Sequence, residues 1–269
     1  MMALCIASVV IALIPLAFIL FFVISRGITA LDLAFFTQLP KPHGEVGGGM
    51  ANAIVGSITV IGIGAVFAIP LGLLSGIYVA EHAESRFAGV VRFSADTLNG
   101  VPSIVIGLFI YAVVVAPMKQ FSALAGGVAL GTMMIPIITR TTEELLRLVP
   151  TSLREGALAL GASRGRATFS VVVPAALPGI ITGIMLAVAR ISGETAPLLF
   201  TAFNNHFWTT SVLQPIATLT VQVFNYANSP YDDLHRQAWA GALVLVGLVL
   251  LCSILARLAT RRLEQMHHA

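Results

Sequence analysis

SLREGALALGASRGRATFSVVVP, Ser152 to Pro174, is a polar and basic island between apolar blocks. Pro150 should stop the preceding helix, because it lacks an N–H and disfavours helix at Val149. Ser152 with Glu155 three residues on reads as a capping box opening a short helix over Leu153 to Leu160. Gly161 fits the left-handed position just past its end, and Ser163 can cap a second short helix running up to Pro174. An elbow this small has too little apolar surface to fold alone, so it must lean on something.

Working outward, hydrophobic residues make up 57% of the chain and charged residues only 10%, with mean hydropathy +0.94. Soluble domains carry about 25% charge, so the chain belongs in a membrane. A net charge of +3 could suggest nucleic acid, but the basic residues sit in short loops and not in one patch, which points to membrane orientation. Cys5 and Cys252 fall in apolar spans far apart in sequence and read as filler, not as a disulfide or metal pair.

Six apolar spans emerge, at about 3–24, 53–80, 101–116, 123–138, 177–199 and 239–258. The first is long enough to cross a hydrocarbon core of ~30 Å and reads as an uncleaved helix. The fold expected is all-α and integral to the membrane, one domain over 1–269. It has outer segments at about 26–52 and 202–237 and the polar segment at about 141–173 between helices four and five. Residues 26–52, with Pro40, Pro42 and Gly47 to Gly49, read as a flexible lead-in. In the second outer segment Ile216 to Phe224 is either a re-entrant or a surface element.

With both termini inside, Arg86, Arg92, Arg140, Arg147, Arg154, Arg164, Arg166, Arg257, Arg261 and Arg262 lie on the inner side. Only Arg26, Lys41, Lys119 and Arg236 lie outside, and Arg190 is within span five. That bias satisfies the positive-inside tendency and puts the elbow in the cytoplasm. Small residues four apart, Gly72 and Gly76, Gly127 and Gly131, Gly179 and Gly183, suit close helix packing. Pro70, Pro136 and Pro197 should interrupt helices.

Arg190 is the outstanding single residue. It falls about sixteen residues beyond Pro174, or ~24 Å along a helix, and there it needs a partner or a water-filled path. Glu194, four residues on, shares its helix face and can pair with it. Either the two form an internal ion pair that positions the span, or Arg190 meets a transported anion and Glu194 holds it between turnovers. The planar guanidinium fork suits an oxyanion. A neighbouring carboxylate could accept a hydrogen bond from a protonated oxyanion such as hydrogenphosphate, which sulfate does not offer. Ser192 and Thr195 add hydroxyls nearby.

The elbow resembles the cytoplasmic loop of ABC-importer permeases, E-A-A, three residues, Gly, nine residues, I-x-L-P. Glu155, Gly156 and Ala157 stand for the triplet, Gly161 follows, and Val171, Val173 and Pro174 close the pattern. Gly156 for Ala and two Val for Ile and Leu are the departures. Further runs are similar to the A-type permease subunits of phosphate importers: GGGMANAIVGS (47–57), LNGVPSIVIGLF (98–109), PIITRTTEELLRLVP (136–150), ARISGETAPLLFTAF (189–203) and FWTTSVLQPIA (207–217).

That resemblance implies the six-helix, type I importer architecture, with Glu155, Gly156, Ala157, Leu158 and Gly161 in a coupling helix. It implies a multi-pass protein of the bacterial inner membrane, paired with a homologous second permease and bathed in membrane lipid. Two ATPase subunits would dock on the cytoplasmic side and a soluble phosphate-binding protein would dock outside, with no nucleic acid involved. It also associates Arg190 and Arg140 with transport. No G-x-x-x-x-G-K-[ST] run is present, so ATP hydrolysis belongs on another subunit, and no enzyme activity, cofactor or metal is expected on this chain. Permeases for sulfate or molybdate are the nearest alternative, and a secondary anion transporter is a more distant one.

Overall fold

The structure, a computed structural model, describes residues 2–45 and 47–267, and within them the chain is helical. The side chains of Arg257, Arg261 and Arg262, counted above toward orientation, lie outside the described residues. In chain order the helices are α1 Met2–Gly27, α2 Leu33–Thr37, α3 Ala51–Glu81, α4 Arg86–Gly100, α5 Ser103–Met118 and α6 Ala123–Leu148. They continue as α7 Thr151–Ala159, α8 Arg164–Ser192, α9 Ala196–Leu199, α10 Leu219–Ala227 and α11 Asp232–His267.

Among the described residues five helices are long and apolar enough to cross a membrane, and a sixth crossing is made if α4 and α5, bent by 106°, count as one. Five of the six apolar spans are therefore recovered as single helices with different ends, and the third falls on the bent α4–α5 pair. The expected break at Pro174 is absent: α8 runs unbroken from Arg164 past Pro174 and Pro178 to Ser192, taking up a π-turn at Thr168–Val172. A widened turn and a Pro near its start let a helix continue without a clash. Span five was expected to reach Leu199, but α8 ends at Ser192 with Gly193 as its cap, and Pro197 opens the separate turn α9. Pro70 and Pro136, expected to interrupt helices, lie inside the continuous α3 and α6.

α6 is the central helix, packed between α3 and α8. The glycine pairs make this packing close, as their spacing suggested. A Cβ on Gly72 would stand 2.7 Å from Cβ of Ile138, and one on Gly76 would stand 2.6 Å from Cβ of Thr142. Gly64 of α3 faces the backbone of Gly127 and Gly131, while Gly179 and Gly183 of α8 sit against Leu145 and Thr141. With no hydrophobic force between helices in lipid, such backbone approach supplies the dispersion contacts that hold them. Val60, Met134, Ile138, Ile191 and Leu198 fill the core between these helices.

Residues 26–52 are not a flexible lead-in. Asp32 caps α2 by accepting from Phe35 N–H at 2.7 Å, and Phe35 is buried. Met50 N–H donates to Phe35 O at 2.9 Å, and His43 pairs with Asp233 at 2.8 Å while stacking on Tyr231. At the same end, the segment after α9 supplies acceptors to the start of α6: Ser122, Ala123 and Leu124 N–H groups donate to Thr201, Gln214 and Val212 carbonyls. These are N–H groups that a helix cannot satisfy internally. Of Ile216 to Phe224, with its two readings, Ile216 to Thr218 precede the helix and Leu219 onward forms α10, lodged against α3 and α11 with Leu219 to Gln222 buried.

Candidate functional site

The elbow forms as a helix and a turn whose parts differ in detail from the expectation. Pro150 ends α6, as expected, with Leu148 the last helical residue. It then serves as the N-cap of α7 itself, and the capping box of Ser152 with Glu155 is not made. The reason is local: Leu153 N–H already donates to Pro150 O at 3.2 Å, so helix begins at Thr151 and Ser152 falls inside it. At the other end Gly161 has φ +85. Its N–H donates to Leu158 O at 2.9 Å and Ala162 N–H donates to Ala157 O at 3.1 Å. That pair of bonds is a Schellman closure, which needs the left-handed residue that glycine supplies without penalty. Ser163 caps α8, its hydroxyl accepting from Arg166 N–H.

No residue of α7 is buried. Leu153, Leu158 and Leu160 are exposed, Leu160 to 92%, and Glu155 and Gly156 are exposed while Ala157 is half-buried. One strong contact fixes the helix to the bundle, Arg154 Nη1 to Glu81 Oε2 at 2.6 Å at the end of α3. Behind it lies a mostly apolar cleft of about 540 Å³ bordered by Tyr78, Arg154, Leu158, Arg164 and Phe169. Pro150 joins α7 to α6, Gly161 joins it to α8 and Arg154 ties it to α3.

Arg190 lies in the last turn of α8 and is exposed. The ion pair expected with Glu194 is not formed among the described residues. The i,i+4 relation fails because α8 stops two residues before Glu194, and the chain turns at Gly193. Glu194 is instead held through its backbone, its N–H donating to Ile191 O at 3.0 Å and its carbonyl accepting from Thr220 Oγ1 at 3.0 Å. Ser192 is buried and donates to Val188 O at 2.7 Å, so its hydroxyl turns into the helix. Thr195 is half-buried beside α9, where its carbonyl accepts from Leu198 and Leu199 N–H groups.

Arg140 is on α6, at nearly the level where Thr141 meets Gly183 of α8. Arg190 is seven residues past Gly183, or ~10 Å farther along the bundle at 1.5 Å per residue. The two arginines occupy different heights and do not form one cluster. Arg140 is ion-paired on two sides. Its Nη1 donates to Glu143 Oε2 at 2.7 Å and its Nε lies 2.9 Å from Asp96 Oδ1 on α4. Glu143, only 1% exposed, also receives Arg92 Nε at 2.8 Å and Arg147 Nη2 at 2.8 Å. A buried carboxylate shared by three guanidinium groups was not anticipated. Its signal was present: Arg140, Glu143 and Arg147 are spaced i, i+3, i+7, one helical face, once α6 is extended past Ile138.

The chain matches the family model described as "Binding-protein-dependent transport system inner membrane component" over residues 68–265. It is 48% identical over 252 residues to the "Phosphate transport system permease protein PstA" of Yersinia pestis, covering 93% of this chain and 85% of that one. Against the protein of the same name from Haemophilus influenzae it is 46% identical over 260 residues, covering 96% and 92%. Against "PstA 1" of Mycobacterium tuberculosis strain H37Rv it is 37% identical over 267 residues, covering 95% and 86%. Among solved structures, an inward-facing MetNI methionine ABC transporter chain superposes with TM-score 0.63 at 20% identity, over 79% of this chain and 93% of that chain, a likeness of fold.

Proposed function

Because the chain belongs to the family of binding-protein-dependent transport system inner membrane components, we propose that it is the membrane-spanning half of an ATP-driven importer carrying inorganic phosphate inward. It is a permease subunit and not an enzyme. Hydrolysis takes place on two separate ATPase subunits, a homologous second permease completes the channel, and a soluble binding protein delivers phosphate from outside. In this reading the α7 end faces the cytoplasm with both termini, as the distribution of arginines requires.

The observation that supports the reading most is the exposed guanidinium of Arg190 in the last turn of a membrane-crossing helix. An arginine facing lipid costs at least ~2.5–3.5 kcal/mol, so this one faces a water-filled path or the second permease. With Glu194 off its helix face, the guanidinium is open to an incoming oxyanion. Thr195 and the Glu194 carboxyl stand close in sequence to accept or donate to a protonated phosphate oxygen, and Arg140 lies farther in along the same route. Ser192 acts only through the helix end it closes, since its hydroxyl is already engaged.

Closure of the ATPase dimer displaces α7 through Glu155, Gly156, Ala157 and Leu158. Gly161 passes the movement to α8 and Arg190, Pro150 passes it to α6 and Arg140, and Arg154 passes it to α3. One push thus reaches both arginines. Phosphate uptake by the full assembly with Arg190→Ala tests the path. Losing a hydrogen bond to a charged group removes ~1.5–3 kcal/mol, so uptake at low phosphate falls about 10- to 150-fold. Arg190→Lys recovers part of it, because charge returns without the planar fork. Uptake within about two-fold of wild type for Arg190→Ala overturns the assignment, and equal competition by sulfate overturns the choice of phosphate.

A further inference from the structure

Five charged side chains from α4 and α6 meet where Arg92, Arg140 and Arg147 surround Glu143, with Asp96 on Arg140. The two carboxylates are not equivalent. Glu143 is 1% exposed and touches all three arginines, whereas Asp96 is 54% exposed and touches Arg140 alone at 2.9 Å. A buried carboxylate bound this way is a fixed part of the frame. A half-exposed one is screened by water and exchanges readily. Counting formal charges, three cations meet two anions, so the group keeps one positive charge in excess. Arg147 is also 47% exposed, leaving part of its fork unused.

We propose that Arg140 and Arg147 form a second oxyanion station, framed by Glu143 and by Arg92, whose Nε and Nη2 both lie on Glu143, and filled by the Asp96 carboxylate when no anion is bound. This deepens the phosphate-import reading and rests on it. An oxyanion arriving from the Arg190 level displaces Asp96 from Arg140 and gains the free edge of Arg147. Asp96 returns as the anion leaves, so the exchange keeps a counter-ion on Arg140 at every stage and prevents the anion from being held too tightly. Glu143 is a positioning residue: it touches no substrate but sets the angle of the guanidinium groups. Asp96 sets how easily the anion leaves.

The test is binding of radiolabelled inorganic phosphate to the detergent-purified full assembly without nucleotide and without the binding protein. Both substituted side chains are half-exposed, so neither is needed to fill the core. Asp96→Asn removes the competing carboxylate and should tighten binding about three- to ten-fold, while Arg147→Gln should weaken it about ten-fold. Asp96→Glu, which restores a competing carboxylate, should return the affinity toward wild type. The proposal is overturned if the wild-type assembly binds no phosphate or sulfate under these conditions, or if neither variant moves the affinity. Failure of the underlying reading looks different: sulfate then binds in place of phosphate and responds to the same two variants, or uptake is indifferent to Arg190→Ala.

Discussion

Glu143→Ala deletes the carboxylate on which three guanidinium groups converge, at 2.8, 2.7 and 2.8 Å. The wild-type arrangement need not be a large source of stability, because desolvating the acid offsets much of the attraction. Removing it is another matter, since arginine cannot deprotonate to escape. Leaving a buried charge uncompensated costs about 3–5 kcal/mol. Here Asp96 still neutralises Arg140, and Arg147 is half-exposed and can hydrate, so the lower end, about 3 kcal/mol, applies. For a chain of this size one kcal/mol moves the midpoint about 2–4 °C, giving a fall of about 6–12 °C. The assay is retention of the assembled, detergent-purified complex on size-exclusion chromatography after heating across a temperature series. Adding Arg92→Ala to Glu143→Ala should restore part of the loss, since Arg92, 26% exposed and ion-paired with Glu143, is the cation left stranded. A midpoint within about 2 °C of wild type for Glu143→Ala would refute the claim that the three arginines depend on the buried Glu143 carboxylate.

Two further outcomes follow from the helix contacts. Gly76→Leu forces α3 and α6 apart, because its Cβ alone would meet Thr142 Cβ at 2.6 Å; overpacking of this kind costs about 1–3 kcal/mol, seen as a lower thermal midpoint and less assembled complex. Gly161→Val places a β-branched residue at φ +85 with no neighbour in its way. The strain is therefore in the backbone, at least about 1–2 kcal/mol, and the expected result is retained assembly with phosphate uptake lowered relative to ATP hydrolysis.

Much of the architecture was legible because lipid simplifies the problem. A spanning segment must be a helix and must be apolar, so composition alone places the spans, and glycines four apart show which faces approach. The ends were less legible. Span four ends at Ile138 by apolarity, yet Glu143 to Leu148 are good helix formers and the helix continues to Leu148, two residues before Pro150. The reverse held at span five, where apolar residues up to Leu199 hide the break at Gly193. That one misplaced end produced the unformed Arg190–Glu194 pair. Apolarity reports burial in lipid, while helix ends are set by caps and prolines, and the two need not coincide. The charge cluster was hidden for a different reason: Arg92 and Asp96 come from a helix that looked like a polar loop. The elbow was read correctly in kind, since Gly161 and Pro150 act through their own backbones, whereas the capping box depended on where helix α7 chose to begin.

The central claim is that α7 receives work from a separate ATPase. The direct measurement is zero-length or disulfide crosslinking from Glu155→Cys and Leu158→Cys to single cysteines in the ATPase subunit, in a permease lacking Cys5 and Cys252, with and without ATP. Both positions are exposed in the structure. Capture of the ATPase from both positions, with an efficiency that changes when nucleotide binds, is the result predicted. Equal labelling of both cysteines by an impermeant reagent added from outside, with no ATPase captured in either state, would contradict it.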